Sequence, residues 1–388
     1  MKLSILIPVY NAGIGVETCI RSALKVQGNT EVLVIDDCSE EKTKSILKKI
    51  YDEASKENPK FRVEFNQVRL GMRGNYVNLI NKASGDWICI IGQDDYIRAD
   101  AVRVIEEMTI LYPTNEILQF KRSYFYWNNN IDGRKSLTIK IRYGNSKKII
   151  RSTEKDYLDI KKGAKNYLDI PKIYTGTIIK NKLIQRHGID KIMTDYPIPD
   201  VGSSVGLNNL IQKYVYVDTP LMITGTSPAS TGLIINNMSK SNSRNFNSKI
   251  ENYESEYIRK AFDASRDSLP GMKALIATFS WYWFEAKSIH GNTKNVDKNL
   301  FLALSLVEEI KLENFIFVLH KYTKIIVEDR YEIIRFILYV IFFANIRTFR
   351  GIIRLVKILM ESMMGRTFYR KIYFSDEKQI EGRIDRVV

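Results

Sequence analysis

An α/β fold built on a mostly parallel sheet is what the sequence predicts, and three observations predict it. Apolar runs of strand length, at residues 3–9, 31–35 and 87–91, alternate with segments of helical periodicity. Each run leads into polar or acidic residues: Tyr10-Asn11, Asp36-Asp37 and Gln93-Asp94-Asp95. The run at 87–91, bounded by Gly85 and Gly92, is apolar throughout, as expected of a strand buried on both faces.

Taken in order, residues 3–9 (LSILIPV) form the first strand, and a turn over 8–13 opens a helix. On that helix Val16, Ile20, Ala23 and Leu24 recur at helical spacing, with Glu17 near its start. The second strand (EVLVI) ends in Asp36-Asp37. Ser39 can cap the following helix, whose apolar face carries Ile46, Leu47 and Ile50. Residues 61–65 alternate apolar and polar, which places a third strand near an edge. A short helix over 75–83 precedes the strand at 87–91, and a helix over 99–111 stops before Pro113.

Residues 117–127 return to strand character. The spacing then predicts a hairpin over 136–151 around Gly144-Asn145, a helix over 156–170, a strand over 173–179, a helix over 202–212 and a strand over 214–217. A polar loop spans 195–200 and a hydroxyl-rich one 225–232. Residues 236–250 are rich in Asn and Ser and are expected to be a mobile linker. Successive amphipathic helices follow. The last begins at about residue 331 and includes the uncharged stretch 336–344, flanked by Arg330, Arg335, Arg347, Arg350, Arg354 and Lys357.

Strands alternating with helices imply right-handed βαβ crossovers, and such sheets bind ligands beyond the carboxyl ends of their strands. Three polar strand ends converging on one edge make that edge the expected site.

The 388 residues suffice for two or three structural units with a sizeable core. The formal charge of +15 suits a phosphorylated substrate, an anionic membrane surface or nucleic acid. Cys19, Cys38 and Cys89 show no disulfide or zinc spacing, which suits a reduced compartment. Three histidines exclude a His-rich metal site. The opening apolar run is too short for a signal peptide, and no run reaches the roughly 18 apolar residues of a spanning helix. Composition carries no nucleic-acid module signature. The first turn lacks the Gly-x-Gly-x-x-Gly of dinucleotide oxidoreductases and the glycine-rich basic loop of sugar-phosphate nucleotidyltransferases.

Three motifs stand in order: Ser4-Ile5-Leu6-Ile7-Pro8-Val9-Tyr10-Asn11, then Glu31-Val32-Leu33-Val34-Ile35-Asp36-Asp37-Cys38-Ser39, then Ala83-Ser84-Gly85-Asp86-Trp87 leading to Gly92-Gln93-Asp94-Asp95. Over about residues 1–130 they resemble the inverting glycosyltransferases of family 2, of the bacterial surface-glycan type, which have the GT-A fold. The resemblance implies a GT-A domain over 1–235, with a nucleotide-sugar half (1–130) and an acceptor half (131–235). A linker over 236–250 and a C-terminal helical domain over 251–388 complete the expected organisation.

The resemblance also implies site residues. Pro8, Tyr10 and Asp37 would line the base and ribose pocket: a tyrosine ring stacks on a base, and a carboxylate accepts from a base N–H or ribose hydroxyl. Alternatively, Tyr10 packs at the sheet edge and Asp37 caps the next helix. Asp36 is the more structural of the pair. Arg73 falls where family members often carry a basic residue near the nucleotide, in altered local spacing, and a solvated arginine is the alternative.

The family's Asp-x-Asp maps onto Gly92-Gln93-Asp94, so its first aspartate is absent. Some branches have glycine there followed by three aspartates, the first of which is Gln93 here. Asp94 matches the metal-contacting position. Asp95 is a second candidate that could instead hold the backbone or an arginine. A divalent cation, Mn²⁺ or Mg²⁺, is the implied cofactor, held by one or two carboxylates plus substrate phosphates.

Inverting transfer needs a base on the acceptor side. Pro197-Ile198-Pro199-Asp200-Val201-Gly202-Ser203-Ser204 resembles one branch's form of that loop. Asp200 is the expected catalytic base and Asp195 the alternative, against a plain helix-capping role for Asp200. Ser227, Ser230 and Thr231 could donate to the donor diphosphate, and Tyr174-Thr175-Gly176 could shape the acceptor pocket.

The expected partners are a nucleotide-sugar donor, a UDP-sugar favoured, and a glycan or lipid-linked acceptor. Peripheral contact with anionic membrane through 330–360, at the inner face of the cell membrane, fits the basic, apolar last helix. No nucleic-acid partner is expected. The competing reading is a non-catalytic sugar-nucleotide-binding or scaffold protein.

Overall fold

A computed structural model describes residues 1–13, 15–127, 138–142, 147–161, 165, 167–174, 176–194, 199–227, 338–340 and 369–373. The chain divides into two compact units. One comprises Met1–Thr153, Pro171–Leu233 and Phe368–Val388; the other comprises Glu154–Ile170 and Ile234–Thr367.

The first unit begins with strand β1 (Leu3–Val9), helix α1 (Gly15–Leu24), β2 (Thr30–Asp36), α2 (Glu41–Ala54), β3 (Phe61–Phe65), α3 (Gly71–Lys82) and β4 (Trp87–Ile90). β1 pairs in parallel with β2 on one side and β4 on the other, and β3 adds in parallel to β2. The α/β expectation, a mostly parallel sheet flanked by helices, therefore holds. β3 carries Arg62 and Glu64 and forms the edge, as its alternation predicts.

The period-2 geometry of β1 divides the core. Leu3, Ile5, Ile7 and Val9 face one side of the sheet and pack with Val16, Cys19, Ile20 and Ala23 of α1 and with Leu47 and Ile50 of α2. Leu6, with Leu33, Ile35, Ile88 and Ile90, faces the other side against Tyr76, Leu79 and Ile80 of α3. The helical spacings at 16, 19, 20 and 23 thus meet one face of the sheet. Covering both faces is what allows the strands to be apolar throughout.

After β4 come β5 (Tyr96–Ile97), α4 (Ala101–Leu111), β6 (Ile117–Phe120), β7 (Ser123–Tyr126), β8 (Thr138–Arg142) and β9 (Lys148–Ser152). The stretch 117–127 is not one strand. β6 belongs to the main sheet and β7 to a second one, with Lys121-Arg122 at the crossing. Nor are β8 and β9 a hairpin: β8 pairs with β7 and β9 with a strand of the main sheet.

In the second unit α5 (Thr153–Lys161, begun by the last residue of the first unit) and a single 3₁₀ turn (Tyr167–Asp169) replace the expected continuous helix. The first unit resumes with β10 (Thr177–Lys180), α6 (Asn181–His187), α7 (Ile189–Ile192), α8 (Pro199–Leu210), β11 (Lys213–Val217) and β12 (Met222–Thr226). The main sheet runs β3-β2-β1-β4-β10-β6-β11-β9. β10 inserts antiparallel between β4 and β6, and β9 closes the far edge antiparallel to β11.

The second sheet runs β13-β8-β7-β12-β5, where β13 (Tyr369–Tyr373) is a strand within the region expected to be a helical domain. The linker expected over 236–250 and the helices expected over 251–330 lie outside the described residues. Among the described residues no helix is long and apolar enough to cross a membrane.

Candidate active site

The parallel register aligns the carboxyl ends of β1, β2 and β4: Val9 stands opposite Asp36, and Leu6 opposite Ile90. The residues that follow therefore emerge together. Two of them sit in the left-handed region, Asn11 (φ 43°) and Cys38 (φ 59°), an unfavoured backbone for side chains that needs external support. The two turns supply it to each other. The Asn11 N–H donates to Ser39 Oγ (2.7 Å), and the Glu40 N–H donates to Asn11 Oδ1 (2.9 Å). Ser39 thus braces the first turn and does not cap α2, whose cap position is Glu40.

Pro8 is half-buried near the end of β1. Tyr10 exposes 39% of its surface, and the Arg69 guanidinium lies 4.3 Å from its ring centroid. Asp37 is buried beside it. Its Oδ1 accepts from Asn66 Nδ2 (2.9 Å) and from the Leu70 N–H (2.8 Å), which holds the carboxylate while Oδ2 keeps its acceptor capacity. It does not cap a helix. Asn66 is fixed in turn by Asn78 (2.8 Å). Asp36 is fully buried and accepts from the Ser39 N–H (3.0 Å), a structural position.

The acidic motif follows β4. Gln93 has a role the sequence did not announce. Its Oε1 accepts from the Tyr10 N–H (2.9 Å) and its Nε2 donates to the Tyr10 carbonyl (3.3 Å), so one carboxamide satisfies both main-chain groups of the exposed tyrosine. Asp95 is buried. One of its oxygens accepts from the Gly92 N–H (2.8 Å), the other from the Gly225 N–H of β12 (2.8 Å), and the Tyr174 hydroxyl also donates to it. Burial, then the neighbouring Asp94, push it up to about 7. It holds backbone and ties the main sheet to the second one.

Asp94 has different surroundings. It is partly buried, its Oδ2 accepts from the Ser227 hydroxyl (2.7 Å), and its main-chain oxygen accepts from Trp127 Nε1 (2.9 Å). Gly15 at the start of α1 packs close on it, within 3.1 Å of Asp94 Cα for an added Cβ, so the positive end of a ten-residue helix abuts the motif. Among the described residues no group of three acidic, His or Cys side chains converges on one point. With Asp95 engaged by backbone, the candidate donor set for a divalent cation among the described residues is the carboxylate of Asp94. That fits a hard cation completed by substrate phosphates.

Asp200 is the second residue of α8, inside the helix rather than at its cap. Burial raises its proton affinity, and the charges of Lys172 and Arg122 act against that rise. Lys172 is only 1% exposed. The helix is anchored by its hydroxyls: Ser203 Oγ accepts from the Ile173 N–H (3.1 Å), and Thr194 Oγ1 donates to the Gly202 carbonyl (3.0 Å). Tyr174 stands within reach of both acidic clusters. Its phenol is pushed far up by burial, by Asp95, and further by Tyr76, Asp94 and Asp200.

Arg73 lies elsewhere. Its Nε and Nη2 donate to the Met193 carbonyl (3.0 and 2.7 Å), and Nη2 pairs with Asp190 (3.3 Å). It clasps the end of α7 rather than joining Tyr10 and Asp37. Asp195, Ser230 and Thr231 lie outside the described residues. The structure thus brings Pro8, Tyr10, Asp37 and Asp94 to one edge, sets Ser227 and Tyr174 against the acidic motif, adds Gln93, and ties Arg73 to the end of α7. A polar side chain directly before an acidic pair was the one sequence signal for Gln93. Tyr174 was expected only to shape the acceptor pocket, not to meet the acidic motif, and Lys172 carried no signal.

Comparison with known proteins bears on this geometry. Curated relatives match over short stretches. The uncharacterized glycosyltransferase MG060 of Mycoplasma genitalium is 32% identical over 110 residues, 28% of this chain and 37% of that protein. The GalNAc(5)-diNAcBac-PP-undecaprenol beta-1,3-glucosyltransferase of Campylobacter jejuni is 27% identical over 106 residues, 27% of this chain and 33% of that one. The chain spans about a third of the length of the curated relatives it matches. Among solved structures, S. aureus TarS 1-349 in complex with UDP is 15% identical with a TM-score of 0.43, over 84% of this chain and 82% of that one. Residues 4–161 match the family model described as Glycosyl transferase family 2, and that segment contains Pro8, Tyr10, Asp37, Arg73, Asp94 and Asp95 while Ser227 and Asp200 lie beyond it.

Proposed function

We propose that this chain is an inverting glycosyltransferase. It moves a hexosyl or N-acetylhexosaminyl group from a nucleoside-diphosphate sugar, a UDP-sugar favoured, to a glycan or lipid-linked acceptor in bacterial surface-polysaccharide synthesis. The observation that carries the reading is the joint placement of Tyr10, Asp37 and Asp94 beyond parallel strand ends, with Asp200 linked through Ser203 to Ile173, next to the Tyr174 whose hydroxyl meets the acidic motif. The family match over 4–161 supports it. The name of the Campylobacter jejuni relative, with its PP-undecaprenol acceptor, supports the lipid-linked acceptor.

In this reading Tyr10 stacks on the base, and Asp37 accepts from a base N–H or ribose hydroxyl through Oδ2. Asp94 would hold a divalent cation together with the donor phosphates, a group that would supply positive charge against the leaving diphosphate. Asp200 takes the proton of the acceptor hydroxyl as its oxygen attacks the anomeric carbon from the face opposite the leaving group, which inverts the configuration. The basic, apolar stretch 330–360 would rest on an anionic membrane at its inner face.

A second reading, a non-catalytic sugar-nucleotide-binding or scaffold protein, draws on Gly92 standing where the motif's first carboxylate would be. A panel of nucleotide sugars, with and without Mn²⁺, separates the two by release of nucleoside diphosphate. One sugar nucleotide should turn over, and Asp37→Ala should weaken its binding by about tenfold or more. Donor binding without any release or transfer would favour the scaffold reading. No binding at all, with Asp37→Ala indistinguishable from the parent, contradicts both.

A further inference from the structure

The absent first carboxylate has a structural counterpart. A Cβ placed at Gly92 would collide with the Tyr174 hydroxyl and would stand 3.2 Å from Asp95 Oδ2 and 3.3 Å from Asp94 Oδ1. The space a side chain at position 92 would use is therefore taken by a hydroxyl arriving from the segment before β10. That hydroxyl donates to Asp95, the residue that ties β4 to β12. The Tyr174 ring is wedged beside Tyr76 of α3, with centroids 6.0 Å apart and planes tilted by 53°.

The main chain of the same segment reaches the other side of the site. The Ile173 N–H, one residue before Tyr174, donates to Ser203 Oγ (3.1 Å), and that hydroxyl in turn donates to the Asp200 carbonyl (3.4 Å). The segment is fixed at its far end by Gly176, whose φ of +88° admits little but glycine and where an added Cβ would lie 3.1 Å from the Phe120 carbonyl. One short segment thus connects the donor motif to the first turn of the helix carrying Asp200.

We propose that Tyr174 replaces the missing first carboxylate of the donor motif as a positioning residue: its hydroxyl fills the place of a side chain at 92, and its main chain sets the distance between donor motif and base helix. This inference rests on the glycosyltransferase reading. A neutral hydroxyl in that place leaves the cation one protein carboxylate, so metal affinity comes mainly from the donor phosphates. Gly92 and Tyr174 then form a matched pair: a carboxylate at 92 requires the loss of the hydroxyl.

The test is a double-mutant cycle on the full chain with Gly92→Asp, Tyr174→Phe and the combination, each also made with Gly92→Ala as the milder insertion. Thermal midpoints are measured without substrate, and Mn²⁺ binding is titrated with and without UDP. Gly92→Ala should lower the midpoint by about 4 °C or more in the parent and by less than half of that beside Tyr174→Phe. Gly92→Asp with Tyr174→Phe should bind Mn²⁺ about tenfold more tightly than the parent in the presence of UDP. Tyr174→Phe alone should lower kcat about tenfold while the donor KM stays within about twofold, the signature of lost positioning.

Additive midpoints overturn the steric pairing. Unchanged Mn²⁺ affinity in the double variant, or a parental kcat in Tyr174→Phe, overturns the replacement. If none of the proteins binds any nucleoside diphosphate, the glycosyltransferase reading fails instead, while the thermal cycle still decides the pairing of Gly92 with Tyr174.

Discussion

Lys172 is among the largest side chains wholly removed from solvent in the described residues, and its charge faces Asp200. Burial pushes Asp200 toward the protonated form, which cannot accept a proton, and Lys172 with Arg122 pulls it back. Removing the lysine charge takes away a lowering influence, so the carboxyl holds its proton to higher pH. Lys172→Met should move the acidic limb of the kcat/KM profile to higher pH, with little change above the limb. An acidic limb that stays in place would separate Lys172 from the base. At this scale the sequence singled out as candidates residues with a motif around them: Tyr10, Asp37, Asp94 and Asp200. It did not disclose Gln93 as the partner of the Tyr10 main chain, nor Tyr174 as the occupant of the space at Gly92. Both act across elements distant in sequence, and neither residue type signals such a role.

At the scale of elements, Glu31 shows how the three central parallel strands are kept in register from their amino ends. It stands at the start of β2 and accepts from Ser4 Oγ of β1 (2.5 Å), from the Ser84 N–H and hydroxyl before β4 (2.6 Å each) and from Lys2 Nζ (3.0 Å). Burial works against its ionisation, and these donors outweigh it, bringing Glu31 down to about 2. A carboxyl held below its unfolded value adds stability that is complete above about pH 5 and is lost as pH falls toward about 2. Discounted for nearby solvent, the contribution is about 1–2 kcal/mol. Denaturant melts of the parent and Glu31→Gln between pH 7 and pH 2 should differ most at neutral pH and converge in acid. A difference independent of pH would mean that the carboxylate charge has no part in it.

The early strands were legible because burial on both faces makes them apolar and helices separate them. The strands after β5 were not. β6 and β7 share one run of strand-like residues, yet Lys121-Arg122 carries the chain from one sheet to the other. β8 and β9 look like a hairpin but serve different sheets. Local alternation reports that a segment is extended and says nothing of its partner.

For the whole molecule, the family match ends at residue 161, while the proposed base lies at Asp200 in α8. The proposed donor side rests on motifs within the matched segment, and the proposed acceptor side rests on topology. β10 runs antiparallel beside β4 and brings the 171–176 segment against the acidic motif. β13, whose sequence partner β8 lies far away in the chain, shows the same limit for the C-terminal region: a helical texture there did not predict a returning strand.

The account requires donor binding and proton abstraction to reside in separate groups. The measurement that tests this most directly compares the parent with Asp200→Asn, recording donor affinity by titration and transfer by product formation on the same preparations. The account predicts a donor Kd within about threefold of the parent and a transfer rate reduced by about 10²–10⁴-fold. Transfer that persists within about tenfold, or that falls only in step with donor binding, would contradict it.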